Sequence, residues 1–181
     1  MISTSDHILV GRANSGDAAA FSTLLERHYE LIFRLAYRML GNQQDAEDIA
    51  QDICVALPKK LVSFKGNAKF TTWLYQITLN TCRDFMRRRV SNQKAYVDYT
   101  QVNQIRNDTQ VQKKQDALEA YRLIGTLHDD LRETALLIVA EGLNHAEAAQ
   151  ILGIKESTVS WRMMKVKEKL SARVQREAGA L

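Results

Sequence analysis

FKGNAKFTTWLYQITLNTCRDFMRRR, residues Phe64 to Arg89, is the stretch from which the rest of the chain can be read. It opens with a polar loop, Lys65-Gly66-Asn67-Ala68-Lys69, bracketed by Phe64 and Phe70. A helix-period segment follows from about Thr72. At about 100° per residue, Leu74, Ile77 and Phe85 fall on one side, and Tyr75, Leu79, Cys82 and Met86 widen that apolar face. The opposite edge carries Trp73, Gln76, Asn80, Arg83 and Arg87. This stripe offers a flat ring, two amides and two guanidiniums without an acid. Amides and Arg donate to base edges and phosphates, and the ring is a stacking platform, so the face suits a nucleic-acid strand. A solvated helix face with Trp73 half-buried against a neighbour would show the same stripe. The loop favours nucleic acid: Lys65 and Lys69 with two flanking rings make a basic rim where an unstacked base could be held.

The remainder is consistent with an all-α protein. The 181 residues suit one ordinary domain or two small ones; 45% are apolar and 25% charged, as in soluble proteins. There is one proline, Pro58, and no run of alternating β-branched residues. The net charge of +4 and the pI near 9.1 are mild, but the charges are sorted. Basic residues gather at Lys59-Lys60, Lys65 to Lys69, Arg83 to Arg89 and Lys155 to Lys169, and acids at Asp45 to Asp52 and Asp129-Asp130. Such sorting suggests one anionic partner and one of another kind. Cys54 and Cys82 lack metal or redox spacing and read as buried reduced thiols. Neither a leader pattern nor a stretch of membrane-spanning length is visible, so a cytoplasmic protein without membrane insertion is expected.

Taken in order, residues 1–16 read as a lead-in with one helical turn around Ile8, Leu9 and Val10. Asp17 can cap a helix with apolar positions Phe21, Leu24, Leu25, Ile32, Phe33, Ala36, Tyr37 and Leu40, ended by Gly41. Asn42 caps a second helix, Gln43 to Leu57, with Ala46, Ile49, Ala50, Ile53 and Leu57 inward; Pro58 is expected to interrupt it. Its outer surface carries Asp45, Glu47, Asp48, Gln51 and Asp52. First-turn acids suit the helix dipole, but Asp48 and Asp52 lie beyond it, four apart, where like charges repel. An acidic docking patch is the favoured reading over an ordinary solvated face. From Val90 to Gln115 the period collapses into VSNQKAYVDYTQVNQIRNDTQVQKKQ, read as a flexible linker.

Beyond it, Asp116 with Glu119, Asp130 with Glu133, and Asn144 with Glu147 repeat the capping-box spacing, implying short helices and tight turns. Gly142 closes the second of these. HAEAAQILGIKESTVSWRMMKVKEKL, His145 to Leu170, has Ala149 where helices approach, Gly153 at the turn, and Ile154 and Val159 pointing inward. This is the helix-turn-helix spacing. Val159, Met163, Val166 and Leu170 form the buried stripe of its last helix. Ser157, Trp161 and Met164 face away, flanked by Thr158, Arg162 and Lys165. DNA reading is favoured over a protein-binding helical hairpin.

In this order the segments resemble those of the extracytoplasmic-function sigma factors, the smallest class of the sigma-70 family of bacterial RNA polymerase subunits. The resemblance runs from about Ala18 to Leu170. DAEDIAQDI resembles the polymerase-binding segment, which implies docking through Asp45, Asp48, Gln51 and Asp52. FKGNAKFTTWLYQITLN resembles the −10 and promoter-melting segment, implying single-stranded DNA contacts by Phe64, Lys65, Asn67, Lys69, Phe70, Trp73, Gln76 and Asn80, continued by Arg83 and Arg87. LGIKESTVSWRMMKVKEKL resembles the −35-reading helix-turn-helix, implying duplex contacts by Lys155, Glu156, Ser157, Thr158, Trp161, Arg162 and Lys165. The chain departs from the pattern at Cys54, usually aromatic, at His128-Asp129-Asp130, often Leu-Pro, and at Lys155, often a Ser cap.

The resemblance implies two helical domains, 1–90 and 116–181, joined by a linker at 91–115, the second a four-helix domain with the helix-turn-helix. It implies a non-enzymatic initiation subunit with no cofactor or metal, partnered by core RNA polymerase, promoter DNA and an anti-sigma factor. The alternative is a two-domain helix-turn-helix regulator that acts without polymerase docking.

Overall fold

The computed structural model describes residues 4–93 and 123–178, with side chains over 4–89 and 123–172. These residues are helical throughout their regular structure and fall into two compact units, one on each side of the undescribed interval. The segment expected to be linker from 91 is still helical up to Gln93; the rest of it, and the cap at Asp116 and Glu119, lie outside the described residues.

The first unit comprises α1 (Asp6–Asn14), α2 (Ala18–Leu40), α3 (Gln43–Leu61) and α4 (Phe70–Gln93). Helix α2 starts where expected: the Asp17 carboxylate accepts from the Ala20 backbone N–H at 3.0 Å. That bond, reinforced by the Arg12 guanidinium, holds the Asp17 carboxyl below its usual range. Gly41 ends the helix at φ +70°, a left-handed conformation that favours glycine. Ala20, Leu24, His28, Ile32, Leu35, Ala36 and Met39 form its buried stripe, and both α3 and α4 pack on it. Asn42 caps α3 by accepting from the Asp45 N–H at 3.0 Å.

Pro58 does not end α3, contrary to expectation; the helix continues to Leu61. A helix-interior proline removes one hydrogen bond, at a cost of roughly 3 kcal/mol. Here Pro58 is exposed, so the orphaned carbonyl one turn back can turn to water, while Leu57 and Leu61, each 1% exposed, anchor the turn on the core side. Helix α1 is likewise longer than the single turn expected, with Leu9 and Val10 buried. Helix α4 begins at Phe70 and keeps Leu74, Tyr75, Leu79 and Cys82 in the core. Thr78 joins them, its hydroxyl donating to the Leu74 carbonyl at 2.9 Å, so a polar residue is buried at little cost.

The second unit begins, among the described residues, with a helical turn at 123–125. It continues with α5 (Asp129–Ala135), which passes into a π-helical turn (Leu136–Ala140), then α6 (His145–Leu152) and α7 (Glu156–Ala178). The expected Asp130–Glu133 capping box does not form. The helix starts two residues earlier, with His128 at the cap position; the His128 carbonyl accepts from Leu131 and Arg132, and Glu133 is buried. At α6 the box is complete: Asn144 Oδ1 accepts from the Glu147 N–H at 2.9 Å, and Glu147 Oε2 from the Asn144 N–H at 3.2 Å. Gly153 turns the chain at φ +67°, and α7 packs Val159, Met163 and Val166 inward against α5 and α6. No helix among the described residues is long and apolar enough to cross a membrane.

Candidate nucleic-acid interface

Between α3 and α4 the chain crosses the loop 62–69, where three rings meet. Phe64 stands edge-on to Phe70 at 5.5 Å, Trp73 lies 5.6 Å from Phe70, and Phe64 and Trp73 are 5.4 Å apart. Phe70 is only 4% exposed and forms the floor of this cluster, not its rim as expected. Phe64 and Trp73 are half-buried, so the faces left open belong to them. Around the rings, Lys65, Asn67 and Lys69 are exposed. An apolar floor, partly open π-faces and a cationic rim can accept one unstacked base with its phosphate.

Along α4 the polar stripe continues as the spacing predicts. Gln76 is half-buried, Asn80 exposed, and Arg83 donates to Asn80 Oδ1 at 2.8 Å. Arg87 is exposed and pairs at 2.6 Å with Asp84, an acid that lies outside the stripe yet reaches it. On the outer face of α3, the acids Asp48 and Asp52 and the amide Gln51 are exposed. Asp45 is half-buried, bonded to Arg89 at 2.9 Å, and so belongs partly to the fold.

Sequence reasoning missed what lies behind the loop. His28, on the buried stripe of α2, packs its ring 5.2 Å from Phe70. Its Nε2 lies 3.0 Å from Asp6 Oδ2; a carboxylate only accepts, so that nitrogen carries the proton. Asp6 Oδ1 also takes Arg27 at 2.5 Å. His7 lies against Gly66, with its Cε1 2.8 Å from where a Cβ would stand. A histidine in register with Leu24, Ile32 and Leu35 was the available signal; nothing in the sequence of α1 pointed to its partner.

In the second unit, α7 presents Ser157, Trp161 and Met164 outward, Trp161 at 55% and Met164 at 45% exposure. Lys155, Glu156 and Ser160 are exposed, and Thr158 is half-buried. Arg162 does not project freely. It is half-buried, bonded to the Asp130 carboxylate at 3.1 Å and directed at the Asp130 carbonyl at 3.4 Å, which ties α7 to α5. Lys165 pairs with Glu168 at 2.8 Å. The His145 ring, at the start of α6, lies 2.9 Å from Ser160 Oγ and braces the two helices of the motif. The outward stripe is thus more apolar than the sequence suggested: the basic side chains flanking it are drawn toward acids, and the indole and thioether remain.

The family description Sigma-70 region 2 matches residues 24–91, and Sigma-70, region 4 matches residues 117–170. The chain is similar to the ECF RNA polymerase sigma factor SigW of Bacillus subtilis (strain 168), 31% identical, over 89% of this chain and 92% of that protein. It is 28% identical to the ECF RNA polymerase sigma-E factor of Escherichia coli (strain K12), over 94% of both. Among solved structures, CnrH in complex with the cytosolic domain of CnrY superposes with a TM-score of 0.70 at 28% identity, covering 96% of this chain and 99% of that one. Two sigma-70 regions in the proper order, and relatives alike over nearly their whole length, place this chain in the ECF family of RNA polymerase sigma factors.

Proposed function

We propose that this sigma factor divides promoter recognition between its two units. The first, built on residues 1–90, docks core polymerase through Asp48, Gln51 and Asp52 of α3, with Asp45 at the margin. It opens the −10 element by capturing a base over Phe64 and Trp73, while Lys65, Asn67, Lys69, Gln76, Asn80, Arg83 and Arg87 follow the strand. The second, built on residues 116–181, sets α7 in the major groove of the −35 element. Residues 91–115 connect them. Bases leaving the stack cost a few kcal/mol, and their capture offsets that cost. The chain does no chemistry; bond formation belongs to the polymerase. CnrH was solved with the cytosolic domain of a second protein. A comparable partner, an anti-sigma factor, would hold this chain inactive in the cytoplasm.

One observation carries this reading: a partly open aromatic cluster with a cationic rim stands at the start of a helix whose outer stripe is amide and guanidinium. A footprint on one promoter at physiological salt, with and without core polymerase, tests it. Protection over both elements is expected only with the polymerase. Nanomolar protection of a palindromic site by the isolated chain would instead identify a free-standing regulator.

A further inference from the structure

We propose that helix α1, which precedes the segment matched as region 2, is a positioning element of the promoter-melting loop. This rests on the assignment of that loop to base capture. The helix grips the loop at three places. At its entry, Asn14 Nδ2 donates to the Leu61 carbonyl at 3.3 Å, where α3 ends. In its middle, the His7 ring covers Gly66, which stands at φ +72° and so already needs glycine. At its exit, Asp6 holds His28 at 3.0 Å, and the His28 ring backs Phe70, the floor under Phe64 and Trp73.

The loop makes little structure of its own. Its backbone bonds run to the last turn of α3, from Ser63 to Lys60 and from Phe64 to Leu61, and to the first turn of α4, from Trp73 to Lys69. A loop this lightly bonded would have to be ordered at the moment a base is captured, and that ordering would be subtracted from the binding. Leu9 and Val10, both buried, fix α1 to the core, so its polar side chains hold the loop in a set conformation beforehand. Asp6 and His7 act through Phe70 and Gly66 and need touch no nucleotide.

The experiment uses full-length chain with core polymerase, on a promoter selected from a random-sequence library by the wild-type holoenzyme. Asp6→Ala and His7→Ala are compared with Arg12→Ala, which removes the exposed pair of the same helix with Asp17 but none of the three grips. Permanganate reactivity of −10 thymines measures opening on a duplex template and occupancy on one pre-melted across the −10 region, both at saturating holoenzyme. Asp6→Ala and His7→Ala should lower duplex opening on the order of tenfold, as misplaced groups do. Occupancy of the pre-melted template and affinity for core polymerase should change less than about twofold, and Arg12→Ala should match wild type in every assay. Equal loss on both templates, or loss with Arg12→Ala as well, would reduce α1 to a general stabiliser and overturn the proposal. So would wild-type opening by both α1 variants. Should Asp6→Ala fail to fold, His7→Ala, an exposed side chain, decides by the same criteria. A wild-type holoenzyme that selects no promoter removes the proposed function itself, a different failure.

Discussion

Trp73 and Asn80 stand on one stripe of α4, yet their removal should leave different marks on the protein. Trp73 packs against Phe64 and Phe70 with ring centroids at 5.4 and 5.6 Å. Each aromatic pair contributes about 0.5–1.5 kcal/mol beyond area burial. A fully buried Trp→Ala costs about 3–5 kcal/mol, and a half-buried ring about half of that, so Trp73→Ala should destabilise its unit by roughly 2 kcal/mol. For a domain of this size that lowers the melting temperature by about 8–16 °C. Asn80 is exposed, and its one bond with Arg83 lies at the surface. Asn80→Ala should therefore move stability by less than about 0.5 kcal/mol.

Both should nevertheless impair promoter opening, because base capture offsets unstacking only where bases must first be unstacked. Thermal denaturation followed by circular dichroism gives the first quantity. Open-complex formation by the holoenzyme on duplex and on pre-melted templates gives the second. Asn80→Ala is the cleaner probe: a stable protein that loses opening on duplex more than on the pre-melted template. If it loses equally on both, the stripe does something other than help melt DNA. If Trp73→Ala melts at the wild-type temperature, the ring cluster does not stabilise the fold as argued.

Reversing Asp48 and Asp52 together to Lys should weaken association with core polymerase while leaving helicity intact. Unchanged co-purification with polymerase would return both to an ordinary solvated face. Cys54 is desolvated by partial burial, which pushes its thiol above the ordinary range and favours the neutral form in the folded state. Its contribution to stability is thus complete below the ordinary thiol pKa and is lost as pH rises past it. Alkylation by iodoacetamide near pH 7.5 should be slower than that of a free thiol and should accelerate in alkaline buffer, while Cys82, fully buried, should react only on unfolding. A rate for Cys54 at or above that of a free thiol would refute the burial argument.

Helix boundaries set by local chemistry were legible in the sequence. Asp17, Gly41, Asn42, Asn144 and Gly153 all cap or end helices where their side chains or conformational freedom suggested. The failures share a different cause. Pro58 is a helix breaker by sequence, but the packing of Leu57 and Leu61 outweighs one lost hydrogen bond. Asp130 looked like a cap, but an arginine 32 residues away in the chain takes its carboxylate. Phe70 looked like a rim residue because a loop precedes it, yet it is the first residue of α4 and turns into the core. Periodicity tells which face of a helix is apolar; it does not tell which distant side chain will arrive there. The site followed the same division: the stripe of α4 was legible, and the support from α1, reached through tertiary contact alone, was not.

The ion pairs around the two surfaces bear on how such a protein discriminates among sites. Arg87 with Asp84, Arg89 with Asp45, Arg162 with Asp130 and Lys165 with Glu168 bring acids beside four of the cations near the proposed DNA contacts. The exposed pairs, Arg87 with Asp84 and Lys165 with Glu168, contribute only about 0–1 kcal/mol each, so those two cations can be handed to a phosphate at small cost. The acids do not leave, however, and each subtracts from the field that draws a duplex in. Sequence-independent affinity grows with the number of phosphates neutralised and falls steeply with salt. A helix-turn-helix that holds Arg162 and Lys165 against acids neutralises few, and its outward indole and thioether discriminate by shape and methyl contact without adding charge. The first unit's rings gain only from bases that duplex DNA withholds. On the proposed reading, then, neither surface alone rewards random duplex. Tight binding appears when core polymerase brings both to one opened template and makes the second contact intramolecular.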